Sequence, residues 1–167
     1  METLLDKKAV FKVIKYRKKL EKALKIKIKI GKEKVDFIGK SDDEFIAKDI
    51  FEAINAGFSI GKVLLLLEET FMLEKIHIRD ITKRKSLREV RARVIGKKGS
   101  TLELLSNLSD CFIELKENEI YIIGDAEDVE ICMTALKNLV KGSKQSNVYK
   151  YLERVRIKRK QQNLGLR

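Results

Sequence analysis

The chain has 167 residues, 44% of them hydrophobic, with 37 lysines and arginines against 25 aspartates and glutamates, for a net charge of +12. The apolar content excludes wholesale disorder, and the length allows one domain or two small ones sharing a core. The positive excess points to a polyanionic partner, RNA or DNA first, whereas a thermophile's charged surface would lie closer to balance.

No apolar run approaches the roughly 18 residues that cross a bilayer; the longest runs from Val63 to Leu67. Met1 to Asp6 is acidic where a secretory signal is basic, so a cytosolic protein is the expectation. No segment pairs a basic face with Trp or Phe anchors, which argues against a membrane surface as partner. His77 is the one histidine, and Cys111 and Cys132 stand too far apart for a CxxC motif. These build neither a zinc site nor a Ser-His-Asp or Cys-His mechanism, so neither a cofactor nor an enzyme is expected.

In chain order, Ala9 to Ile14 reads as an opening strand, followed by a helical stretch from Tyr16 to Leu24. Lys25 to Ile30 alternates with period two, as a half-buried strand does, and Val35 to Gly39 reads as its hairpin partner across Gly31 to Lys34. Ser41 or Asp42 caps a helix with the stripe Ile46, Ala47, Ile50, Phe51 and Ile54, and Gly57 lies just past its end. Ser59 caps a bridging helix that carries Val63, Leu64 and Leu67.

Leu73 to Asp80 then reads as a strand, with Ile76 and Ile78 on one face and His77 at the surface. Ser86 caps a helix through Leu87, Val90, Val94 and Ile95. Gly96-Lys97-Lys98-Gly99 interrupts the pattern, and a helix restarts at Ser100 with Leu102, Leu104, Leu105 and Leu108. Asp110 to Leu115 and Ile120 to Gly124 form a second hairpin. Asp125 caps a helix with Val129, Cys132, Leu136 and Leu139 that closes at Gly142. Both cysteines fall at inward positions, as buried small hydrophobes do. A polar link, Ser143 to Asn147, leads to a terminal helix docked through Val148, Tyr151, Leu152 and Val155. Its basic tip, Arg154, Arg156, Lys158, Arg159 and Lys160, is expected to fray beyond Gln161.

Shifted by about 85 residues, the halves fall into register, hairpin on hairpin and helix on helix. The second half runs strand, helix, GxxG, helix, strand, strand, helix. The first is shorter by about twenty residues, equivalent to one helix and the GxxG loop. The expected fold is therefore α+β: two tandem KH-like units of type I, each a three-stranded sheet packed by helices, the first without its GxxG. The expected boundaries are residues 1–70, 71–142 and a basic terminal segment 143–167.

A GxxG between two helices lets a phosphate come close, because neither glycine has a Cβ. The loop amides and the first turn of the next helix attract anions, and a KH clamp of this kind grips about four backbone nucleotides. Gly96, Lys97, Lys98, Gly99 and Ser100 would form the clamp, and the two lysines would add charge at the phosphates. Val94, Ile95, Leu102, Ile113 and Leu115 would line the base groove, Glu114 would reach base edges, and Arg91 and Arg93 would hold sugar-phosphate. An ordinary helix-helix turn with solvated lysines is the plainer alternative.

Other local patterns carry less. Gly39-Lys40-Ser41 imitates the end of a phosphate-binding P-loop, but Lys34 stands where that motif needs glycine. Asp42-Asp43-Glu44 suits a helix N-terminus better than a metal. The Lys25-Lys27-Lys29 face either touches RNA or keeps sheet edges apart.

These residues resemble the archaeal KH-domain ribosome-assembly proteins, relatives of the eukaryotic partner-of-Nob factor, with the Krr-type assembly proteins close by. The resemblance runs from about Val10 to Lys158. It rests on Val94 to Gly99, on Ile122-Ile123-Gly124-Asp125, and on two stretches that general KH domains lack, Ala56-Gly57-Phe58-Ser59 and Asn147 to Arg154. It implies two packed KH domains that bind single-stranded RNA near the 3′ end of small-subunit ribosomal RNA. The implied partners are a maturation endonuclease and the alpha subunit of translation initiation factor two. Archaeal relatives often keep a first GxxG, which this chain lacks.

Overall fold

The computed structural model describes residues 1–165. The chain divides into two compact units, Met1–Leu73 and a second that begins at Glu74.

The first unit runs β1 (Glu2–Leu4), α1 (Lys7–Leu24), β2 (Lys27–Ile30), β3 (Lys34–Ile38), α2 (Ser41–Ala56) and a short α3 (Ile60–Val63) that continues as a 3-10 turn over Leu64–Leu67. Its sheet has the order β1-β3-β2, with β3 antiparallel to both neighbours. Alternation sorts the hairpin as expected. Ile28, Val35 and Phe37 are buried while Lys27, Lys29 and Lys34 are exposed. Phe37 meets Phe51 of α2 with ring centroids 4.9 Å apart, a tilted aromatic pair at the centre of this core.

The opening of this unit corrects the sequence reading. Ala9 to Ile14 is helical and belongs to α1, and the edge strand is Glu2–Leu4. The Asp6 carboxylate starts the helix by accepting from the Ala9 amide at 2.8 Å. Val10, Val13, Leu20 and Leu24 are buried at helical spacing, whereas Phe11 is 73% and Ile14 53% exposed. The run Ala9 to Ile14, broken only by Lys12, carries three β-branched residues and is too short to show a helical period of its own. One consequence is that α1 does pair a basic face with an exposed phenylalanine, contrary to the expectation for this chain. Ser41 is the first helical residue of α2, not its cap; the cap position is Lys40, and the Glu44 carboxylate accepts from the Gly39 amide at 3.0 Å.

The second unit carries β4 (Phe71–His77, which spans the unit boundary), α4 (Ile78–Ile81), α5 (Leu87–Ile95), α6 (Ser100–Ser109), β5 (Phe112–Lys116), β6 (Glu119–Asp125), α7 (Ala126–Lys141) and α8 (Gln145–Gly165). Its sheet order is β4-β6-β5, with β5 and β6 antiparallel. The central strand is buried from Ile120 to Gly124. Asp125 caps α7 by accepting from the Glu127 amide at 3.2 Å, and Gly142 closes it at φ 116°. Cys111 and Cys132 are both buried, and Cys111 lies against Gly124, where an added Cβ would come 2.8 Å from its sulfur.

Three further expectations change. The strand ends at His77, and Ile78 opens a helical turn while its amide bonds the Asn118 carbonyl at 2.9 Å. Asp110 is the left-handed end of α6, not the start of β5. The terminal helix starts at Gln145, inside the expected linker, and continues past Gln161 to Gly165, because Arg159 is held by the Glu127 and Asp128 carboxylates.

Candidate nucleic-acid interface

The Gly96–Gly99 loop joins α5 to α6, and its backbone needs its glycines. Gly96 sits at φ 74°, ψ 177°, a conformation that side chains essentially forbid, and Gly99 is left-handed at φ 78°. Lys98 between them is left-handed too, at φ 54°, which leaves both lysines exposed at a tight single turn. The two glycines face different surroundings. A Cβ on Gly96 would lie 2.1 Å from the Thr101 hydroxyl, whereas one on Gly99 would meet nothing within 4 Å. Gly96 is therefore a packing glycine, and Gly99 fronts open space.

That space is electropositive. No side chain caps α6; the Gly99 and Ser100 amides turn back to the Gly96 and Lys97 carbonyls, and the positive end of the helix dipole lies beside Lys97 and Lys98. A phosphate at Gly99 would find a helix N-terminus, two lysines and no Cβ in the way. Next to it, α6 packs on both α5 and β5. The apolar flank is partly open: Ile95 is 37% exposed and Leu104 39%, while Leu102, Ile113, Glu114 and Leu115 are half-buried and Ser100 is exposed. Of the four leucines expected to bury α6, only Leu105 is fully inside.

Three expected site residues are placed otherwise. Val94 is fully buried and belongs to the core, so it cannot line an open groove. Arg93 turns away from the loop, and its guanidinium donates to the Leu139 carbonyl at 3.3 Å and to the Ser143 carbonyl. It thereby adds a cationic donor at the negative end of α7, beside the Gly142 amide that also bonds the Leu139 carbonyl, and Arg84 approaches Gly142 there too. Arg91 donates to the Asn118 side chain at 3.3 Å and to the Glu117 carbonyl at 3.4 Å, and so braces the β5–β6 turn. Both arginines are structural in this arrangement.

Two residues that sequence reasoning passed over belong to the site. The Gln145 side-chain amide, at the start of α8, donates to the Arg93 carbonyl and to the Thr101 hydroxyl, each at 3.1 Å. Thr101 is 3% exposed and Gln145 half-buried, so this is a partly buried polar contact behind the loop. No short-range pattern links residues more than forty positions apart. The only sequence hint is a polar residue at the inward-facing start of a helix.

Elsewhere the polar groups have local roles. His77 Nδ1 lies 2.9 Å from a Glu119 oxygen on the sheet surface. Hydrogen bonding to Cys132 and burial push the Cys111 thiol well above its ordinary range. Among the described residues no cluster of His, Cys, Asp and Glu could hold a metal ion, and no helix is long and apolar enough to cross a membrane.

Residues 72–157 match the family model for the second KH domain of PNO1, described as a eukaryotic type KH-domain (KH-domain type I). A KH domain-containing protein of Methanocaldococcus jannaschii is 31% identical over 157 residues, 90% of this chain and 69% of the relative. RNA-binding protein pno1 of Drosophila pseudoobscura pseudoobscura is 28% identical over 137 residues, 80% of this chain and 56% of the relative. The chain thus spans about half the length of that eukaryotic relative. Among solved structures, the a/eIF2alpha-aDim2p-rRNA complex from Pyrococcus horikoshii OT3 contains a chain that superposes with a TM-score of 0.82 at 32% identity, covering 92% of each chain. The fold of the second unit and these matches agree: the chain belongs to the PNO1 family of type I KH-domain proteins.

Proposed function

We propose that this protein is a non-catalytic RNA-binding factor of small-subunit ribosome assembly, which holds single-stranded RNA near the 3′ end of small-subunit ribosomal RNA through the Gly96–Gly99 clamp. The observation that carries the proposal is the pair of positive-φ glycines between α5 and α6, with Gly99 open, α6 uncapped and both lysines exposed. Family membership supports it, as do the RNA-binding name of the fly relative and the ribosomal RNA in the Pyrococcus complex. A cytoplasmic location accords with that work.

The first unit is a KH-like module without a clamp. Its order, β1-α1-β2-β3-α2, has one helix where the second unit has α5, the GxxG loop and α6. Specific RNA affinity then depends on the second unit.

Replacing both loop lysines, Lys97→Asp with Lys98→Asp, tests the clamp by fluorescence anisotropy on labelled single-stranded RNA. The fold is kept, and affinity falls by more than about tenfold. The slope of log affinity against log salt becomes shallower by roughly 0.7 for each phosphate no longer neutralised. Unchanged affinity at moderate salt would sink the proposal. A second reading, an adaptor that engages the alpha subunit of initiation factor two or a maturation endonuclease, is favoured by the a/eIF2alpha in the Pyrococcus complex. It predicts a stoichiometric protein complex that survives nuclease treatment.

A further inference from the structure

We propose that Gln145 is a positioning residue for the RNA clamp, holding α5 and α6 at the separation that keeps the Gly99 side of the loop open. This rests on the clamp reading above.

One side-chain amide joins the two arms of the loop. Arg93 lies three residues before Gly96 and Thr101 two residues after Gly99, and Gln145 donates to both. The Arg93 carbonyl belongs to the last turn of α5, where helix carbonyls have no partner within the helix. The Thr101 hydroxyl is buried against the space that a Cβ on Gly96 would fill. Removing the donor leaves a buried hydroxyl and a helix-end carbonyl to find other partners, and each can do so only by shifting its own arm of the clamp.

Gln145 is itself held in place. The Arg93 guanidinium reaches back to the Leu139 carbonyl in the last turn of α7 and to the Ser143 carbonyl in the α7–α8 link, and Ser143 stands two residues before Gln145. At the other end of α8, Arg159 pairs with Glu127 and Asp128 in the first turn of α7. The helix that carries Gln145 is therefore fixed at both ends to the unit that carries the clamp. Arg93 and Gln145 hold one another, the guanidinium through Ser143 and the amide through the Arg93 carbonyl.

The test uses the full chain with Gln145→Leu, Gln145→Glu, Thr101→Val and the Gln145→Leu/Thr101→Val pair, beside the loop-lysine double variant. Anisotropy on labelled single-stranded RNA across a salt series is read together with backbone amide NMR shifts, under conditions where each variant is folded. Each single variant should weaken binding about three- to tenfold. For Gln145→Leu and Thr101→Val, which change no charge, the salt slope should stay unchanged. The Gly96 and Gly99 amide resonances should move, and the double variant should bind no worse than the weaker single one. A residue that only stabilised the fold would leave affinity at the wild-type value. That result for Gln145→Leu, alongside a weakened lysine variant, overturns this inference and leaves the clamp reading standing. Wild-type affinity in the lysine variant overturns the clamp reading instead. Should Gln145→Leu not fold, Gln145→Glu decides: its carboxylate can accept from Thr101 but cannot donate to the Arg93 carbonyl, so the same loss is expected and wild-type binding refutes the proposal.

Discussion

Gly96 and Thr101 are packed so closely that a single Cβ on the glycine would lie 2.1 Å from the threonine hydroxyl and 2.7 Å from its backbone nitrogen. Gly99, three residues on, has nothing within 4 Å of the same position. The two glycines of one motif therefore answer to different constraints. Gly96→Ala should cost about 2–4 kcal/mol of folding stability, from the forbidden backbone conformation and the clash together. Gly99→Ala should cost only about 1 kcal/mol, for the left-handed φ. Gly99→Asp should stay folded and lose RNA binding. Urea unfolding of the glycine variants, with anisotropy on the last, checks all three.

Arg93 faces the α7 carbonyls, so replacing it should act on stability before RNA. Arg93→Lys keeps the charge but loses the planar fork that spans the Leu139 and Ser143 carbonyls. The expected cost is about 1–2 kcal/mol in urea unfolding, with the salt slope of RNA binding unchanged. A shallower slope would return Arg93 to the phosphate-contacting set.

The Glu21 carboxylate accepts from the Ile28 amide at 2.9 Å and from Arg17 at 3.1 Å, which ties α1 to the start of β2. The hydrogen bond from the Ile28 amide, ahead of the Arg17 charge, holds its pKa below the usual 4.5. A folded-state pKa below the unfolded one gives stability that is present above pH 4.5 and is lost as pH falls through the lower folded value. Thermal midpoints followed from neutral pH down through that window should decline, and less steeply for Glu21→Gln. Equal slopes for the two proteins would remove Glu21 from the acid response.

The buried thiols should be inert. Cys111 and Cys132 are free thiols, each at most 1% exposed; the hydrogen bond between them, with burial, pushes the Cys111 thiol up, and the same hydrogen bond pulls the Cys132 thiol down. A thiol out of solvent cannot meet a reagent, whatever its ionisation. The native protein should react with an aromatic disulfide reagent only at its unfolding rate, and at once in denaturant. Prompt reaction of one thiol in native buffer would contradict that packing.

Much of the second unit was legible because each of its signals had a local cause. Asp125 and Gly142 bound α7 through short-range capping, and the β5–β6 hairpin shows its period in the residues themselves. The GxxG loop announced itself through its glycines. The errors arose where local signals were silent or double-edged. Ala9 to Ile14 is β-branched enough to suggest a strand, and only burial of Val10 and Val13 on one helical face reveals α1. Arg93 lies at the right distance from the loop, but its direction depends on carbonyls about fifty residues away. Gln145 looks like linker, although it bonds both arms of the clamp.

The double fastening of α8 bears on where this protein can be cut. Between Gln145 and Arg159 the helix extends roughly 20 Å at about 1.5 Å per residue, and both anchor points lie on the second unit. A fragment trimmed at Gly142 would strip Gln145 from Arg93 and Thr101 and, by removing the buried Val148 and Leu152 with α8, would bare the faces of α6 and α7 on which α8 packs. The smallest excised piece that keeps its shape should therefore run on past Arg159, and a shorter one should be judged by its solubility before its affinity.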